Sequence, residues 1–288
     1  MISALDHIAL AVRDLDAAAA RYATLLGRSW NWRGRDGGAE HVWFQLENTA
    51  LDIIAPVGAG YTGDRVKAHL DEHGEGIWAV AFTTPDMARA RRTLSRRGVE
   101  ASEPMRIRST HVETGDKRYW NTGALSASAT HGANILLIEA EAEAWPLSPA
   151  TDETNVAALD HIVIRTPNPE RAVALYGARL GLDMRLDRAN PDWGARLMFF
   201  RCGDLIVEIA HDMKAGVSDA PDALWGLSWR VSDAAAAQAR LAGAGFAVSD
   251  VRKGRKPGTH VFTVRDGTSN VPTICVEPAP ANAAERAA

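Results

Sequence analysis

The sequence predicts an α+β fold built from four copies of one βαβββ module. An apolar strand-like segment, a helix-capping residue, an amphipathic helix and a glycine stop follow one another four times within 288 residues. Further apolar segments follow each helix, and one linker-like segment divides the four copies into two pairs. A single module of this kind cannot cover its own sheet face. We therefore expect the modules to pair into two domains, each with a U-shaped mixed sheet around a cavity.

The start and stop signals of the four helices are alike. The first strands read LDHIALAV, GIWAVAF, LDHIVIRT and GLSWRV, and the helices after them end at Gly27, Gly98, Gly181 and near Gly243 or Gly245. The residues expected to cap these helices are Asp14, Asp86, Asn168 and Asp233. A side-chain oxygen at this position accepts a hydrogen bond from a free helix N–H group, and glycine suits the left-handed residue after a helix. The pattern therefore predicts four equivalent helices.

The segments after the helices predict the remaining strands and the domain boundaries. They read HVWFQL and ALDIIAPV, then NILLIEA, then RLMFFRC and LIVEIAH, then HVFTV and TICVEP. Residues 142–157 are rich in Ala, Glu, Pro and Thr, which is typical of a linker. We expect one domain over residues 1–141, a second over 158–279, and a disordered tail over 280–288.

Composition excludes several classes of partner. The formal net charge is −4, and Lys and Arg are scattered, so nucleic acid is not an expected partner. The sequence shows no signal peptide and no run of about 18 apolar residues, which predicts a cytoplasmic protein without a membrane partner. The segment GAGYTG at 58–63 matches a dinucleotide-binding pattern. The repeat, however, places it in the connection between modules one and two, which favours a structural role.

Two carboxylates lie in otherwise apolar strands. Asp52 is within ALDIIA and Glu208 is within LIVEIA. A buried carboxylate is costly unless it is paired, hydrogen-bonded or bound to a cation. Each closes a module whose first strand carries a histidine, His7 or His161, which makes each pair a candidate site. A hydrogen bond between each histidine and its carboxylate, without a ligand, is the alternative interpretation.

The motif LDHI at 5–8 and 159–162, together with the closing strands LDIIAP, LLIEAE, IVEIAH and ICVEP, resembles the vicinal oxygen chelate superfamily. Its members include glyoxalase I, methylmalonyl-CoA epimerase, extradiol dioxygenases and bleomycin-resistance proteins. The resemblance spans residues 4–278, and the first half is most similar to the epimerase branch. It implies two glyoxalase-like domains and a divalent metal ion, Fe²⁺, Zn²⁺, Mn²⁺ or Ni²⁺, held by His on first strands and Glu or Gln on last strands.

Carried over by position, the resemblance implies the metal ligands His7, Asp52, His161 and Glu208. The corresponding positions of modules two and four hold Ala79, Leu136, Gly226 and Ile274. Each cavity thus retains two family ligands. His41 in HVWFQL is a candidate to complete a set with His7 and Asp52.

The same resemblance suggests catalytic residues and a pocket. His260 in HVFTV loosely matches an acid/base histidine of the dioxygenases, so His260 and Glu208 are the catalytic candidates. The tryptophans expected in strands are Trp43, Trp78, Trp120 and Trp229. Most of these are interpreted as core residues, and some as the floor of an apolar ligand pocket.

Two functions remain open at this point. The first is a metal-dependent lyase, isomerase or dioxygenase that acts on a small oxygenated molecule; a homodimer is left open. The second is a metal-free protein that sequesters a drug or an aromatic metabolite, as bleomycin-resistance relatives do. The retained His/carboxylate pairs favour the enzyme, whereas the four lost ligands favour the binding protein.

Overall fold

A computed structural model describes residues 1–139 and 145–280. In the first half the strands are β1 (Ala4–Ala11), β2 (Trp32–Asp36), β3 (Ala39–Gln45), β4 (Ala50–Pro56), β5 (Gly76–Thr84), β6 (Met105–His111), β7 (Lys117–Ala124) and β8 (Ile135–Glu139). The helices of this half are α1 (Leu15–Leu26), α2 (Tyr61–His73) and α3 (Met87–Arg96).

The second half has the same order of strands, but its described residues form no helix equivalent to α2. Its strands are β9 (Ala158–Arg165), β10 (Asp183–Asn190), β11 (Ala195–Cys202), β12 (Leu205–Asp212), β13 (Ala223–Arg230), β14 (Arg252–Lys253), β15 (His260–Val264) and β16 (Thr273–Glu277). Its helices are α4 (Pro169–Val173), which continues as a π-helical segment over Ala174–Arg179, and α5 (Ala234–Gly243). The prediction of four βαβββ modules in two domains is confirmed.

Strand pairing shows which modules belong together. The first strands of modules one and two pair antiparallel as β1 and β5, and those of modules three and four pair as β9 and β13. Each first strand also runs parallel to the last strand of its own module. Modules therefore pair one with two and three with four.

The two sheets differ in closure. The first has the order β1-β4-β3-β2-β6-β7-β8-β5 and closes into a barrel, because β2 pairs with β6 through Gly34↔His111 and Arg35↔Thr110. The second runs from β10 to β14 and stays open. The U shape predicted for both sheets is thus found in the second, while the first goes further and encloses its cavity.

The helix signals work as predicted. The side chains of Asp14, Asp86, Asn168 and Asp233 each accept a hydrogen bond from the backbone N–H three residues later. The chain turns left-handed after the helices at Gly27, Gly98, Gly181 and Gly245, with φ between 60° and 80°. Within the described ranges, no helix has the length and apolar character needed to cross a membrane.

The glycine-rich segment 58–63 makes a backbone contact instead of a phosphate site. The N–H groups of Thr62 and Gly63, at the start of α2, both donate to the carbonyl of Gly37, at 3.0 and 2.9 Å. These are the groups that would otherwise hold a phosphate. A Cβ atom at Gly63 would lie 2.3 Å from the carbonyl oxygen of Gly38. Glycine is therefore required by the close approach of two loops.

Two arginines fasten the predicted linker to the end of α1. The guanidinium of Arg28 donates to the carbonyls of Ser148 and Val156 at 2.7 and 2.6 Å. Arg240 of α5 donates to the carbonyl of Leu25 at 3.1 Å and so satisfies an end of α1 that lacks helical partners. Ser148 and Val156 of the linker are thereby held against the end of α1. Residues 140–144, which include the start of the predicted linker, and tail residues 281–288 lie outside the described residues.

Replacing Asp233 by Ala is expected to lower the free energy of unfolding by about 1 kcal/mol, because the backbone N–H of Ala236 loses its acceptor. Asp233→Ser keeps a side-chain oxygen and should remain close to the unsubstituted protein. Urea unfolding of the three proteins measures the difference. Equal losses in both variants would show that the capping bond is not the cause.

Candidate active site

The closed barrel surrounds a cavity of about 350 Å³. Its lining is rich in apolar side chains, among them Ala9, Ile54, Trp78, Met105, Ile107, Trp120, Leu136 and Ile138. The titratable side chains of the lining are His7, Asp36, His41, Asp52, Tyr61, Arg65 and Glu103. An eight-stranded barrel leaves room for one small ligand. The cavity therefore combines an apolar, partly aromatic surface with a small group of proton-transfer residues. Of the four tryptophans singled out from the sequence, Trp78 and Trp120 line it.

Asp52 is held by a chain of hydrogen bonds within the barrel wall. Its Oδ1 lies 2.7 Å from Nδ1 of His41, and Nε2 of the same ring lies 2.7 Å from the hydroxyl oxygen of Ser109. Trp32 Nε1 donates to that hydroxyl oxygen at 2.8 Å. Because Nε2 meets a hydroxyl that can donate or accept, the Nδ1–H of His41 donates to Asp52 in both protonation states of the ring. The carboxylate is thereby hydrogen-bonded although it is buried.

The register of the strands explains why His41, and not His7, is the partner of Asp52. In the parallel pair β1 and β4, Asp52 lies beside Ala9, while His7 lies beside Ala50. In the antiparallel pair β3 and β4, Asp52 lies beside Trp43, two residues from His41 on the same face. His7 and Asp52 both face the cavity, as predicted, but they do not form a pair with each other. His7 contacts Asp6 and Asp52 contacts His41.

Burial and charge act in opposite directions on His41. Burial of the ring disfavours its protonated form, but the charge of Asp52 and its hydrogen bond outweigh this effect, so the pKa of His41 is raised. The ring is only 4% exposed. The hydrogen bond between His41 and Asp52 is thus shielded from bulk water.

His7 has its own carboxylate partner. Its Nδ1 lies 2.7 Å from Oδ1 of Asp6, whose second oxygen accepts a hydrogen bond from Thr83 at 3.1 Å. The His7 ring also packs against that of Trp43, with 4.9 Å between the ring centroids. With Nδ1 engaged, Nε2 is the ring nitrogen available to a ligand in the cavity. A carboxylate that accepts a hydrogen bond from one ring nitrogen fixes the tautomer and the orientation of the imidazole.

Ser109, His41 and Asp52 follow one another as in a Ser–His–Asp triad, but the serine is not placed as a nucleophile. Ser109 is 0% exposed, and its oxygen already accepts the Trp32 N–H group. Gly34 of β2 provides the space for this contact, because a Cβ atom there would lie 2.1 Å from the Ser109 oxygen. The hydroxyl therefore orients the imidazole instead of attacking a ligand.

The second half contains a different version of the same arrangement. His161 Nδ1 lies 2.8 Å from Oδ2 of Asp160, which matches the Asp6–His7 pair. His161 Nε2 lies 3.6 Å from Oε2 of Glu208, which is too long for a hydrogen bond. Burial raises the pKa of Glu208, although His161 and Arg255 partly oppose this. An open cleft of about 530 Å³ includes His161.

The register shows what Glu208 lacks. Glu208 pairs with Phe199 as Asp52 pairs with Trp43, so Leu197 of β11 occupies the position that His41 has in the barrel. An apolar side chain therefore stands where the carboxylate of the first half finds its hydrogen-bond donor. The predicted catalytic role of Glu208 stays a prediction.

The side chains present do not fit a resident divalent metal. A catalytic metal site needs about three protein ligands, and the part of the chain that the structure describes has no group of three His, Cys, Asp or Glu residues arranged to hold one. Both nitrogens of His41 are already engaged, so it is not free as the third ligand that we expected. The remaining positions at which the family resemblance implies metal ligands hold residues whose side chains cannot bind a metal: Ala79, Leu136, Gly226 and Ile274.

His260 lies away from both cavities. It begins β15 with 46% of its side chain exposed, and its Nδ1 is 3.6 Å from Oε1 of Glu277. The cleft is lined by Thr263 and Ile274 of the same strand pair. The acid/base role expected for His260 therefore gains no support from its surroundings.

Sequence reasoning missed the residues that support the site. Ser109 and Trp32 gave no signal, because their contact depends on the closure of β2 onto β6. The pairing of a histidine with the residue before it was visible, since the dipeptide Asp–His occurs at both Asp6 and Asp160.

Comparison with known proteins identifies the family. A family model described as a glyoxalase-like domain matches residues 5–181, more than half of the chain. A second, described as the glyoxalase/bleomycin resistance protein/dioxygenase superfamily, matches residues 160–263. The chain belongs to the vicinal oxygen chelate superfamily. This glyoxalase-like protein is also 32% identical, over 101 residues, to an ethylmalonyl-CoA/methylmalonyl-CoA epimerase of Cereibacter sphaeroides. The match covers 34% of this chain and 73% of the epimerase.

Solved structures share the two-domain fold. A mutant of 4-hydroxymandelate synthase from Streptomyces coelicolor superimposes with a TM-score of 0.70 at 14% identity, over 99% of this chain and 96% of that one. A Mn(II)-bound glyoxalase from Novosphingobium aromaticivorans gives a TM-score of 0.63 at 15% identity, over 96% and 82% of the two chains. At these identities the likeness concerns the fold alone. The named relatives are enzymes.

The raised pKa of His41 predicts how stability depends on pH. The stabilisation from its contact with Asp52 is complete below the ordinary histidine pKa of 6.5 and is lost as pH rises through the raised value. Asp52→Asn removes the charge that raises this pKa. We therefore expect the substitution to destabilise the protein more at pH 6 than at pH 9, as measured by urea unfolding. A larger effect at pH 9 would contradict the assignment.

Proposed function

We propose that this glyoxalase-like protein catalyses proton transfer at a carbon atom next to an oxygen function of a small, largely apolar substrate bound in the barrel. This is a reaction of the isomerase or lyase type. The observation that carries the proposal is that His7 and Asp52, each fixed by its own partner, face one cavity whose other lining is mostly apolar.

His7 is the proton acceptor in this proposal. When Nδ1–H donates to Asp6, the neutral ring carries its lone pair on Nε2, which takes the proton from the substrate carbon. The carboxylate of Asp6 stabilises the imidazolium that forms. The same nitrogen can then return the proton to the substrate or to a leaving group.

Asp52 positions the substrate next to this base. Its Oδ1 is engaged by His41, which leaves Oδ2 to accept a hydrogen bond from a substrate hydroxyl. His7 on β1 and Asp52 on β4 lie on adjacent strands. Both groups therefore reach the same face of a bound molecule.

The apolar lining strengthens these interactions. Trp78, Trp120 and the aliphatic side chains around them exclude water, and charges interact more strongly where water is excluded. The relative named as an epimerase supports a reaction of the isomerase type. Because the side chains of the described residues supply no three-ligand metal site, the proposed proton transfer uses the protein's own groups.

Sequestration of a small molecule is the second candidate. It is favoured by the apolar residues Ala79 and Leu136 at positions where the family resemblance implies ligands. A protein of this kind binds the same compounds in the same cavity but does not accelerate proton exchange.

Deuterium exchange from D₂O into small hydroxyketones and aryl ketones, followed by NMR, tests the proposal. We expect the protein to accelerate exchange at the carbon beside the carbonyl, and His7→Ala to lower the rate by about 100-fold or more. His161→Ala removes the matching Asp–His pair of the open half and should leave the rate unchanged. Binding without exchange would establish the sequestering function, and a His7→Ala variant at full rate would refute the assigned base.

Removal of metal is expected to have no effect on this activity. Extensive dialysis against EDTA should change the exchange rate by less than about twofold, because the described residues form no three-ligand site next to His7. Elemental analysis before and after dialysis provides the control. Loss of exchange that is restored by Fe²⁺, Zn²⁺, Mn²⁺ or Ni²⁺ would contradict this expectation.

A further inference from the structure

We propose that Thr122 is a specificity-determining residue of the barrel cavity, which selects a flat, ring-containing ligand with a hydrogen-bond donor at one end and an acceptor at the other. The donor end meets Asp52 and the acceptor end meets the hydroxyl of Thr122. This inference rests on the proposed function of the barrel and adds the class of substrate.

The first observation is a hydroxyl without a partner. Thr122 Oγ1 is buried from solvent and has no hydrogen-bond partner among the described residues. Buried polar groups in folded proteins are nearly always hydrogen-bonded, so each exception needs an explanation. Thr122 belongs to the cavity lining, and its cross-strand neighbours Met105 and Ile138 line the cavity as well. The pleat of β7 therefore directs this side chain towards the ligand space.

The second observation is the position of Thr122 relative to Asp52. Asp52 is on β4 and Thr122 is on β7, which are four strands apart in a closed ring of eight strands. Two such strands lie on opposite sides of a barrel. A ligand that fills the interior from one side to the other therefore reaches both residues.

The chemistry of the two residues gives the ligand its polarity. The second carboxylate oxygen of Asp52 is a hydrogen-bond acceptor, so the group next to it must carry a proton, as a hydroxyl does. The Thr122 hydroxyl has no acceptor for its proton, so the group next to it must offer an oxygen or nitrogen lone pair. Between the two ends, Trp78, Trp120 and Met105 present surfaces that suit a ring.

In the free protein the Thr122 hydroxyl is closed to water and unpaired. Rotation about the Cα–Cβ bond turns it towards the cavity, where a ligand acceptor supplies the missing hydrogen bond. A ligand of the same shape without an acceptor leaves the hydroxyl unpaired. The selectivity therefore comes from the bond that only the first ligand makes.

Isothermal titration calorimetry with 4-acetylbenzyl alcohol and 4-isopropylbenzyl alcohol tests the inference. The two compounds have nearly the same shape, and only the first has a carbonyl acceptor opposite its hydroxyl group. We expect the protein to bind the acetyl compound about tenfold more tightly. Thr122→Val, which keeps the shape of the side chain, should reduce this ratio to about one. Thr122→Ser, which keeps the hydroxyl, should retain the preference.

Asp52→Asn provides a second test. It should weaken the binding of both compounds alike and leave the ratio of their affinities unchanged. The Thr122→Val protein should unfold at no lower temperature than the unsubstituted protein, since valine removes an unpaired buried hydroxyl. A Thr122→Val variant that keeps the tenfold ratio would overturn the inference, as would a protein that binds neither compound.

The exchange experiment separates this inference from the proposed function. If His7-dependent exchange occurs but Thr122→Val keeps the ratio of the two affinities, the role assigned to Thr122 is wrong and the proposed function stands. If the ratio depends on Thr122 but exchange never occurs, the ligand site stands and the proposed reaction is wrong.

Discussion

The hydrogen bond between His41 and Asp52 is the contact on which the rest of the site depends. A carboxylate inside an apolar barrel is costly to bury, and this bond is what offsets the cost. The support extends through Ser109 and Trp32, so that the chain of contacts runs across β4, β3, β2 and β6. These four strands include the seam where β2 meets β6. Closure of the barrel and the hydrogen bonding of Asp52 therefore depend on one network.

The two halves show what this network contributes. Both place an Asp–His pair on the first strand and a carboxylate on the last strand of the leading module. In the first half His41 donates to the carboxylate and the sheet closes; in the second half Leu197 occupies that position, and burial raises the pKa of Glu208. The same fold thus holds a carboxylate with a close histidine donor in the first half and, in the second half, a carboxylate whose nearest histidine nitrogen is 3.6 Å away.

Local signals in the sequence were sufficient for much of the fold, and for only part of the site. Helix caps such as Asp233 and stops such as Gly27 act over three or four residues, so they were readable from sequence alone. Barrel closure was not, because β6 begins with alternating apolar and charged residues and pairs with β2 through only two register contacts. The partner of Asp52 depends on strand register across two pairs. His41 was therefore noticed as a third ligand, when its actual contact is a hydrogen bond that orients the carboxylate.

NMR of the protein labelled with ¹⁵N in its histidine rings tests the central claim most directly, because it reports which nitrogen of His41 carries a proton. If the network is as described, Nδ1 of His41 carries a slowly exchanging proton from pH 6 to pH 9, and Asp52→Asn weakens its protection. A neutral His41 ring with its proton on Nε2, or a ring that exchanges rapidly with water, would contradict the account.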